Sequence, residues 1–384
     1  MAPYLIVFSL SLILIYVASG LQRRSFGFII LSAAAILCPC LLAGFRAETV
    51  GTDVAVYAKP IFDLASHSNT FNNYYNGYWW SSWHYWGPRD IEIGYTLLTW
   101  ICAHYFHSFP LFLALTSALT ITPIYVSLAK YCKGQSLILS MCVFYFCYFN
   151  VSLNMMRQWI ALAFTLYSII ILYKHSNNIF SLVPCFIGLL IATCFHMSAL
   201  LAVYIVFIRW IFSNANYHAM NFIFIALMLL PILGLTAIGP ISSVLTTMGL
   251  GRYLGYIGDG IVALMPNQII MRLPFLFVIL YCMNNSISAK RNPMSWFLLT
   301  MTTMGIICSQ LTSVGANSGR IGLYFDMFNM LIPGFLFKYR KSQVANVVFW
   351  MIFITYCVVY WVYFFVIGGS SETVPYLLSH NIMW

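Results

Sequence analysis

Apolar runs of roughly bilayer length recur from one end of this chain to the other, with almost no charge inside them. A helix needs about 20 such residues to cross a hydrocarbon core. The runs are continuous rather than alternating, so they read as helices and not as strands of a barrel. Hydrophobic residues make up 62% of the sequence and charged ones 7%, a composition no soluble fold tolerates. The longest polar segment, residues 46–92, is too short and too aromatic for a soluble domain. Residues 3–19 are apolar without a basic leader and are expected to be the first span rather than a cleaved signal. The 11 cysteines lie mostly within apolar runs, so neither a disulfide framework nor a redox or metal role is expected, Cys38-Pro39-Cys40 included.

The net charge of +10 would suggest nucleic acid for a soluble protein. Here the bilayer supplies a better account, because basic residues gather at helix ends facing the cytoplasm. No nucleic-acid partner is expected. The pattern predicts an all-α polytopic membrane protein with about 12 spans. They fall near 3–19, 27–45, 110–129, 136–151, 156–173, 179–195, 197–212, 219–238, 269–285, 294–312, 321–337 and 344–366. With the N-terminus outside, the inner turns receive Arg23, Arg24, Lys130, Lys133, Lys174, Arg209, Lys290, Arg291, Lys338, Arg340 and Lys341. The outer side receives Arg46, Lys59, Arg89, Arg157, Arg252, Arg272 and Arg320, with almost every acidic residue. This layout requires residues 93–108 not to cross, so they are expected as an interfacial or re-entrant helix. One membrane domain, 1–384, then carries a large extracytoplasmic loop at 46–109 and a second at 239–268.

Chemistry is therefore sought on the outer side. An arginine beside lipid costs a few kcal/mol unless it snorkels or is paired. Arg157, in Asn154-Met155-Met156-Arg157-Gln158, is such a residue. Its planar fork grips two phosphate oxygens at any physiological pH, though a headgroup anchor would use it too. Gly51-Thr52-Asp53 followed by Tyr57 reads as a substrate-facing turn with an acid or base, or as an interface anchor with a turn glycine. Residues 71–86 hold Phe71, Tyr74, Tyr75, Tyr78, Trp79, Trp80, Trp83, Tyr85 and Trp86 among asparagines and serines. Such rings suit sugar stacking and equally a membrane-interface belt. Asp90-Ile91-Glu92 lacks the further oxygen ligands a hard cation needs, and no metal or cofactor is assigned. His196 suits proton transfer or helix packing alike. Arg252 sits in a glycine-rich loop that is not a phosphate-binding P-loop. Arg320 and Asp326 could pair within the bundle, or Arg320 could take a phosphate.

Taken in order, several of these stretches resemble the EpsG family, the Wzy-like polymerases of bacterial surface polysaccharides. They are Phe45-Arg46 with Gly51-Thr52-Asp53 and Tyr57, Glu92-Ile93-Gly94-Tyr95, and Asn154-Met155-Met156-Arg157-Gln158 with Ala161. Phe195-His196-Met197-Ser198-Ala199, Arg252-Tyr253 and Arg320-Ile321-Gly322-Leu323-Tyr324 complete the set. The resemblance implies a GT-C-like inner-membrane glycosyltransferase, its active site facing the periplasm. It would join oligosaccharide repeat units carried on undecaprenyl diphosphate, for O-antigen, capsule or exopolysaccharide. A flippase and a chain-length regulator are the implied partners. On this view Arg157, Gln158 and Arg320 bind the diphosphate, with Arg46, Arg252 and Arg272 as further contacts. Asp53, Glu92 and His196 are the candidate bases, with the carboxylates preferred, and Tyr57, Tyr253 and Tyr324 would bind sugar with the 71–86 aromatics. The alternatives are a lipid-linked oligosaccharide transporter or flippase, and an O-antigen ligase.

Overall fold

Caps and prolines set where the apolar runs become helices. Ser25 Oγ accepts the Phe28 amide at 3.2 Å to open α2 (Phe26–Gly44), which follows α1 (Ala2–Ser19). The structure is a computed structural model and describes residues 1–81, 84–174, 182–236, 263–313, 318–339 and 343–379. Among the described residues, 9 helices are long and apolar enough to cross a membrane, so the protein is an all-α polytopic membrane protein. Apolar helices Leu182–Phe195 and Tyr217–Leu233 are shorter. The stretch expected as a span at 321–337 is instead segmented into 3-10 turn Ser318–Gly322, helix Leu323–Asp326, 3-10 turn Met327–Leu331 and helix Ile332–Tyr339. Its buried Asp326 and Asn329 are held by Arg272 and Thr302, and the chain tightens to i→i+3 turns around them.

The chain forms two compact units, Met1–Leu200 with Val347–Trp384, and Leu201–Asn346. In the first unit a segment of short elements, the capping segment, follows α2. It comprises α3 (Lys59–Ser66), α4 (Phe71–Tyr75), the antiparallel hairpin β1 (Trp79–Ser81) and β2 (His84–Trp86), and α5 (Ile93–Tyr105). Then come α6 (Phe109–Tyr131), α7 (Gln135–Asn154, with a π turn at Phe144–Tyr148), α8 (Met156–Lys174) and α9 (Leu182–Phe195). The helix Val347–Ile367 completes the unit. The most apolar window of α7 is 94% buried, against 28% in α1 and 33% in α2, so α7 is the central helix and α1 and α2 face lipid. A helix apolar on all sides is one buried on all sides or bathed in lipid.

Hydrogen bonds inside the bundle are few and paired. Ser11 Oγ joins Ala35 O and the Tyr145 hydroxyl, each at 2.7 Å, and Ser32 joins Tyr125 at 2.7 Å. At one end Arg23 Nη2 donates to Cys132 O at 3.1 Å, tying the basic α1–α2 and α6–α7 turns together. At the opposite end α2 meets the start of α6 so closely that a Cβ on Gly44 would lie 2.8 Å from Pro110 O.

The capping segment packs against the bundle at that second end. Val54, Ala58, Ile61, Phe62, Tyr74, Ile91, Tyr95 and Trp100 share a buried cluster with Phe112, Leu113, Met156, Ile160 and Phe195. At 13 residues α5 is about 20 Å long, short of a bilayer crossing. A C-terminal strap, residues 369–379, returns to the same end. Leu377 O accepts the Ala47 amide at 2.8 Å, Ser379 N donates to Phe45 O at 2.9 Å, and Arg46 bridges Leu378. Asn150 pins the strap by donating to Thr373 Oγ1 while accepting from Trp361 Nε1, both at 2.9 Å.

In the second unit, helices Leu201–Asn214, Tyr217–Thr236 and Leu273–Asn285 pack on helix Pro293–Ser309. Arg272 Nε reaches both carboxylate oxygens of Asp326 at 2.9 Å, and Nη2 reaches Oδ2 at 2.6 Å. A Cβ on Gly305 would collide with that carboxylate, so the glycine makes room for the pair.

Candidate active site

A helix break organises one end of the first unit. α7 stops at Asn154, Met155 turns out of helix at φ −85 and ψ 57, and α8 restarts at Met156. Backbone groups at such a break need other partners. Arg46 Nη2 donates to Leu153 O at 2.9 Å and contacts Met156 Sδ at 3.2 Å. Asn154 Oδ1 accepts the Asp53 amide at 2.9 Å. The turn before Asp53 needs Gly51, whose φ is +92, and the Gly51 amide donates to Glu372 O at 2.9 Å. So the Arg46–Asp53 turn, the helix break and the C-terminal strap are one assembly.

The break also aims Arg157 at Glu92. Nη1 lies 2.5 Å from Glu92 Oε2, and the other carboxylate oxygen accepts the Met197 amide at 3.1 Å. Glu92 caps α5, so one carboxylate joins α5, the start of α8 and the turn after α9. Gly94 makes this possible, because a Cβ there would lie 2.7 Å from Cys194 O. The Tyr57 ring centroid lies 4.9 Å from Arg157 Cζ, and the Tyr57 hydroxyl shares the electrostatic surroundings of Arg157 and Asp53. Burial, reinforced by the Asp53 charge, raises the Tyr57 hydroxyl well above its usual range, so it stays a proton donor.

Three buried side chains here hold polar atoms without hydrogen-bond partners: Arg46 Nε and Nη1, Arg157 Nε, and the Tyr95 hydroxyl. Arg46 is 1% exposed and has no carboxylate partner among the described residues. Burial lowers its guanidinium to about 10, which leaves it charged at neutral pH. Native interiors rarely leave such donors unmet, so each asks for a specific account. A ligand's anionic oxygens provide one.

His196 precedes Met197, whose amide Glu92 holds. Its Nδ1 accepts the Ser198 amide at 3.2 Å and lies 2.6 Å from the Ser198 hydroxyl. Asp90 is separate: its Oδ2 accepts the Gly87 amide at 2.9 Å, so Asp90 and Glu92 serve different partners. Lys59 pairs with Asp63 at 2.6 Å and Glu48 at 3.7 Å. The aromatic stretch divides by burial. Tyr74 packs against Trp100 in the cluster, whereas Tyr78, Trp80, Tyr85 and Trp86 are exposed.

Arg46, Asp53, Tyr57, Glu92, Arg157 and His196 thus gather at one end of one unit, and Gln158 beside them is buried. The second unit holds the remaining described candidates. Arg272 is engaged bidentately by Asp326, which balances its charge; the carboxylate expected near Arg320 belongs to Arg272 instead. Tyr324 is 0% exposed, packed inside the second unit. Arg320 is half-buried in its 3-10 turn. Arg252 and Tyr253 lie outside the described residues. Sequence reasoning gave no role to Asn154, Tyr95 or Ser198. The helix break at Asn154 was the available signal, since an amide side chain there suits a freed backbone group.

The fold and this polar end define a polytopic helical membrane protein with a capping segment packed over buried arginines. The EpsG family model matches residues 29–378, and the chain belongs to the EpsG family. Membership supports a polysaccharide-polymerase-like membrane protein. Neither a curated protein nor a solved structure matches it significantly.

Proposed function

We propose that this protein is a polysaccharide polymerase of the Wzy type, acting on oligosaccharide repeat units carried on undecaprenyl diphosphate at the extracytoplasmic face of the inner membrane. The observation carrying this reading is the meeting of Asp53, Tyr57, Glu92 and Arg157 beside a helix break, with unmet buried donors on Arg46, Arg157 and Tyr95. Arg157 grips the donor's diphosphate through the edge Glu92 leaves open, and Arg46 adds a cation behind it. The exposed Tyr78, Trp80, Tyr85 and Trp86 are proposed sugar contacts. Glu92, with both oxygens engaged, acts as a strut. Asp53 is the base.

The reaction balances as a substitution. An acceptor sugar hydroxyl attacks the donor's anomeric carbon as the anomeric C–O bond to the diphosphate breaks. The bonding pair leaves with the diphosphate, and the hydroxyl proton passes to Asp53. Charge concentrates on the leaving group, and fixed guanidinium donors in a partly dry site stabilise it. A flippase and a chain-length regulator are proposed partners.

A polymerase-null strain complemented with Arg157→Ala tests the reading. Long polymer vanishes while lipid A-core capped with one repeat unit persists. Normal-length polymer at equal protein level would remove Arg157 from the site. Loss of even the single capped unit would indicate a ligase, and substrate crossing vesicles without bond formation would indicate a transporter.

A further inference from the structure

We propose that the C-terminal strap is a gate over an oxyanion site whose cation is Arg46. The proposal rests on the reading above, in which Arg46 meets the donor's diphosphate, and adds what controls access to it. Arg46 Nη2 is spent on Leu153 O and Met156 Sδ, whereas Nε and Nη1 have no hydrogen-bond partner. No carboxylate pairs with it among the described residues, and the groups acting on its charge are the hydroxyls of Tyr4, Tyr95, Tyr376 and Tyr57. Phenols are neutral at physiological pH and leave that charge unbalanced. A tetrahedral oxyanion supplies both the missing acceptors and the missing charge. Yet the side chain is 1% exposed, and its two unmet nitrogens are sealed from solvent. An anion reaches them only when part of the covering moves.

The strap is the part that gives way most easily. The capping segment is anchored by a buried cluster in which Val54, Ala58, Ile61 and Tyr95 are each fully buried. In the strap only Thr373 is buried among the described residues, and Leu377 and Leu378 are 50% and 59% exposed. Hydrogen bonds hold it instead. Its backbone ties run to Phe45, Ala47 and Gly51, the Tyr4 hydroxyl donates to Thr373 O at 2.7 Å, and Asn150 holds the Thr373 side chain. Elements with few buried apolar contacts open before the core does. The strap also faces the guanidinium: Arg46 pairs with Leu378 across the bridge, and Tyr376 acts on its charge. Its entry runs through left-handed backbone at Gly369, Ser371 and Glu372, with φ of +61, +68 and +50. Only the first of these has glycine's freedom, so the turn is a costly conformation at the point where the strap leaves helix Val347–Ile367.

Inorganic pyrophosphate, added to full-length protein in lipid nanodiscs, tests the gate without any sugar transfer. The docked strap and a bound anion exclude each other, so weakening the strap enlarges the competent fraction and tightens binding. Thr373→Val and Tyr376→Phe each remove one side-chain tie, to Asn150 and to Leu42 O. Each should tighten pyrophosphate binding by about two- to tenfold, the worth of one hydrogen bond. Hydrogen exchange at the Ala47 and Ser379 amides gives a second readout. Pyrophosphate should speed it in the wild type and leave it unchanged in Arg46→Gln. Should Arg46→Gln unfold, the two strap variants still decide, since neither replaces Arg46. Unchanged affinity in both strap variants, slower exchange on adding pyrophosphate, or a response that persists in folded Arg46→Gln overturns the gate, as does wild-type protein that binds no pyrophosphate. Intact strap responses in a protein that makes no polymer would support the gate and sink the polymerase reading alone.

Discussion

Glu92→Gln is the most informative substitution, because it separates a strut from a base. Glutamine keeps an oxygen for the Met197 amide but removes the charge facing Arg157. The side chains of the pair are 23% and 16% exposed. That places them between surface pairs, typically about 0–1 kcal/mol, and buried pairs, where loss of one partner costs about 3–5 kcal/mol. A destabilisation of about 2 kcal/mol is expected, read as a lower unfolding midpoint in detergent or as faster proteolysis. A double-mutant cycle with Arg157→Met should return a coupling of about 1–2 kcal/mol. Polymerisation by the folded fraction should fall about tenfold, equivalent to about 1.4 kcal/mol, as Arg157 loses its fixed aim. Whatever limb of the pH–rate profile reports the base should survive, since Asp53 is untouched. Two results would refute this. A coupling near zero denies the clasp, and near-complete loss of activity at wild-type stability, with the limb abolished, makes Glu92 the base.

Other substitutions follow from the same geometry. Asp53→Asn should cut kcat about 10²–10³-fold with little change in stability, because the backbone bond to Asn154 survives; wild-type turnover would exclude Asp53. Arg272→Met leaves Asp326, 2% exposed, without its cation and should destabilise by about 3–5 kcal/mol, with Arg272→Met/Asp326→Leu recovering most of it. Gly94→Ala pushes a Cβ toward Cys194 O and should cost about 1–3 kcal/mol in thermal unfolding while loosening the Glu92–Met197 bond. Alkaline pH should loosen the strap. Tyr376 donates to Leu42 O at 2.7 Å, and burial pushes its hydroxyl up from 10.0 to about 12. That contribution is complete below pH 10 and lost as pH rises through about 12, a step that Tyr376→Phe should abolish in limited proteolysis of the C-terminus.

Much of the transmembrane layout was legible, because a bilayer imposes both length and uninterrupted apolarity on a helix. Predicted span 110–129 and helix Phe109–Tyr131 agree within two residues at each end. The stretch 321–337 is segmented for a local reason: Asp326 and Asn329 are satisfied inside the unit, and hydropathy does not register hydrogen bonds made across 54 and 27 residues. Arg157 stood out because an arginine at a span mouth is rare. The partition of roles between Asp53 and Glu92 was not legible. It depends on which carboxylate oxygen meets Arg157 or an amide. The strap was invisible for a similar reason, since three of its ties are backbone bonds that almost any sequence can make.

The strap also dictates an order of assembly. Residues 45–51 leave the ribosome early, yet their amide and carbonyl partners sit at 372–379, after the whole of the second unit has been made. Until then the Arg46 turn lacks the backbone ties that close it. The turn at 45–51 can therefore close only after residues 201–346 and the strap itself have been synthesised.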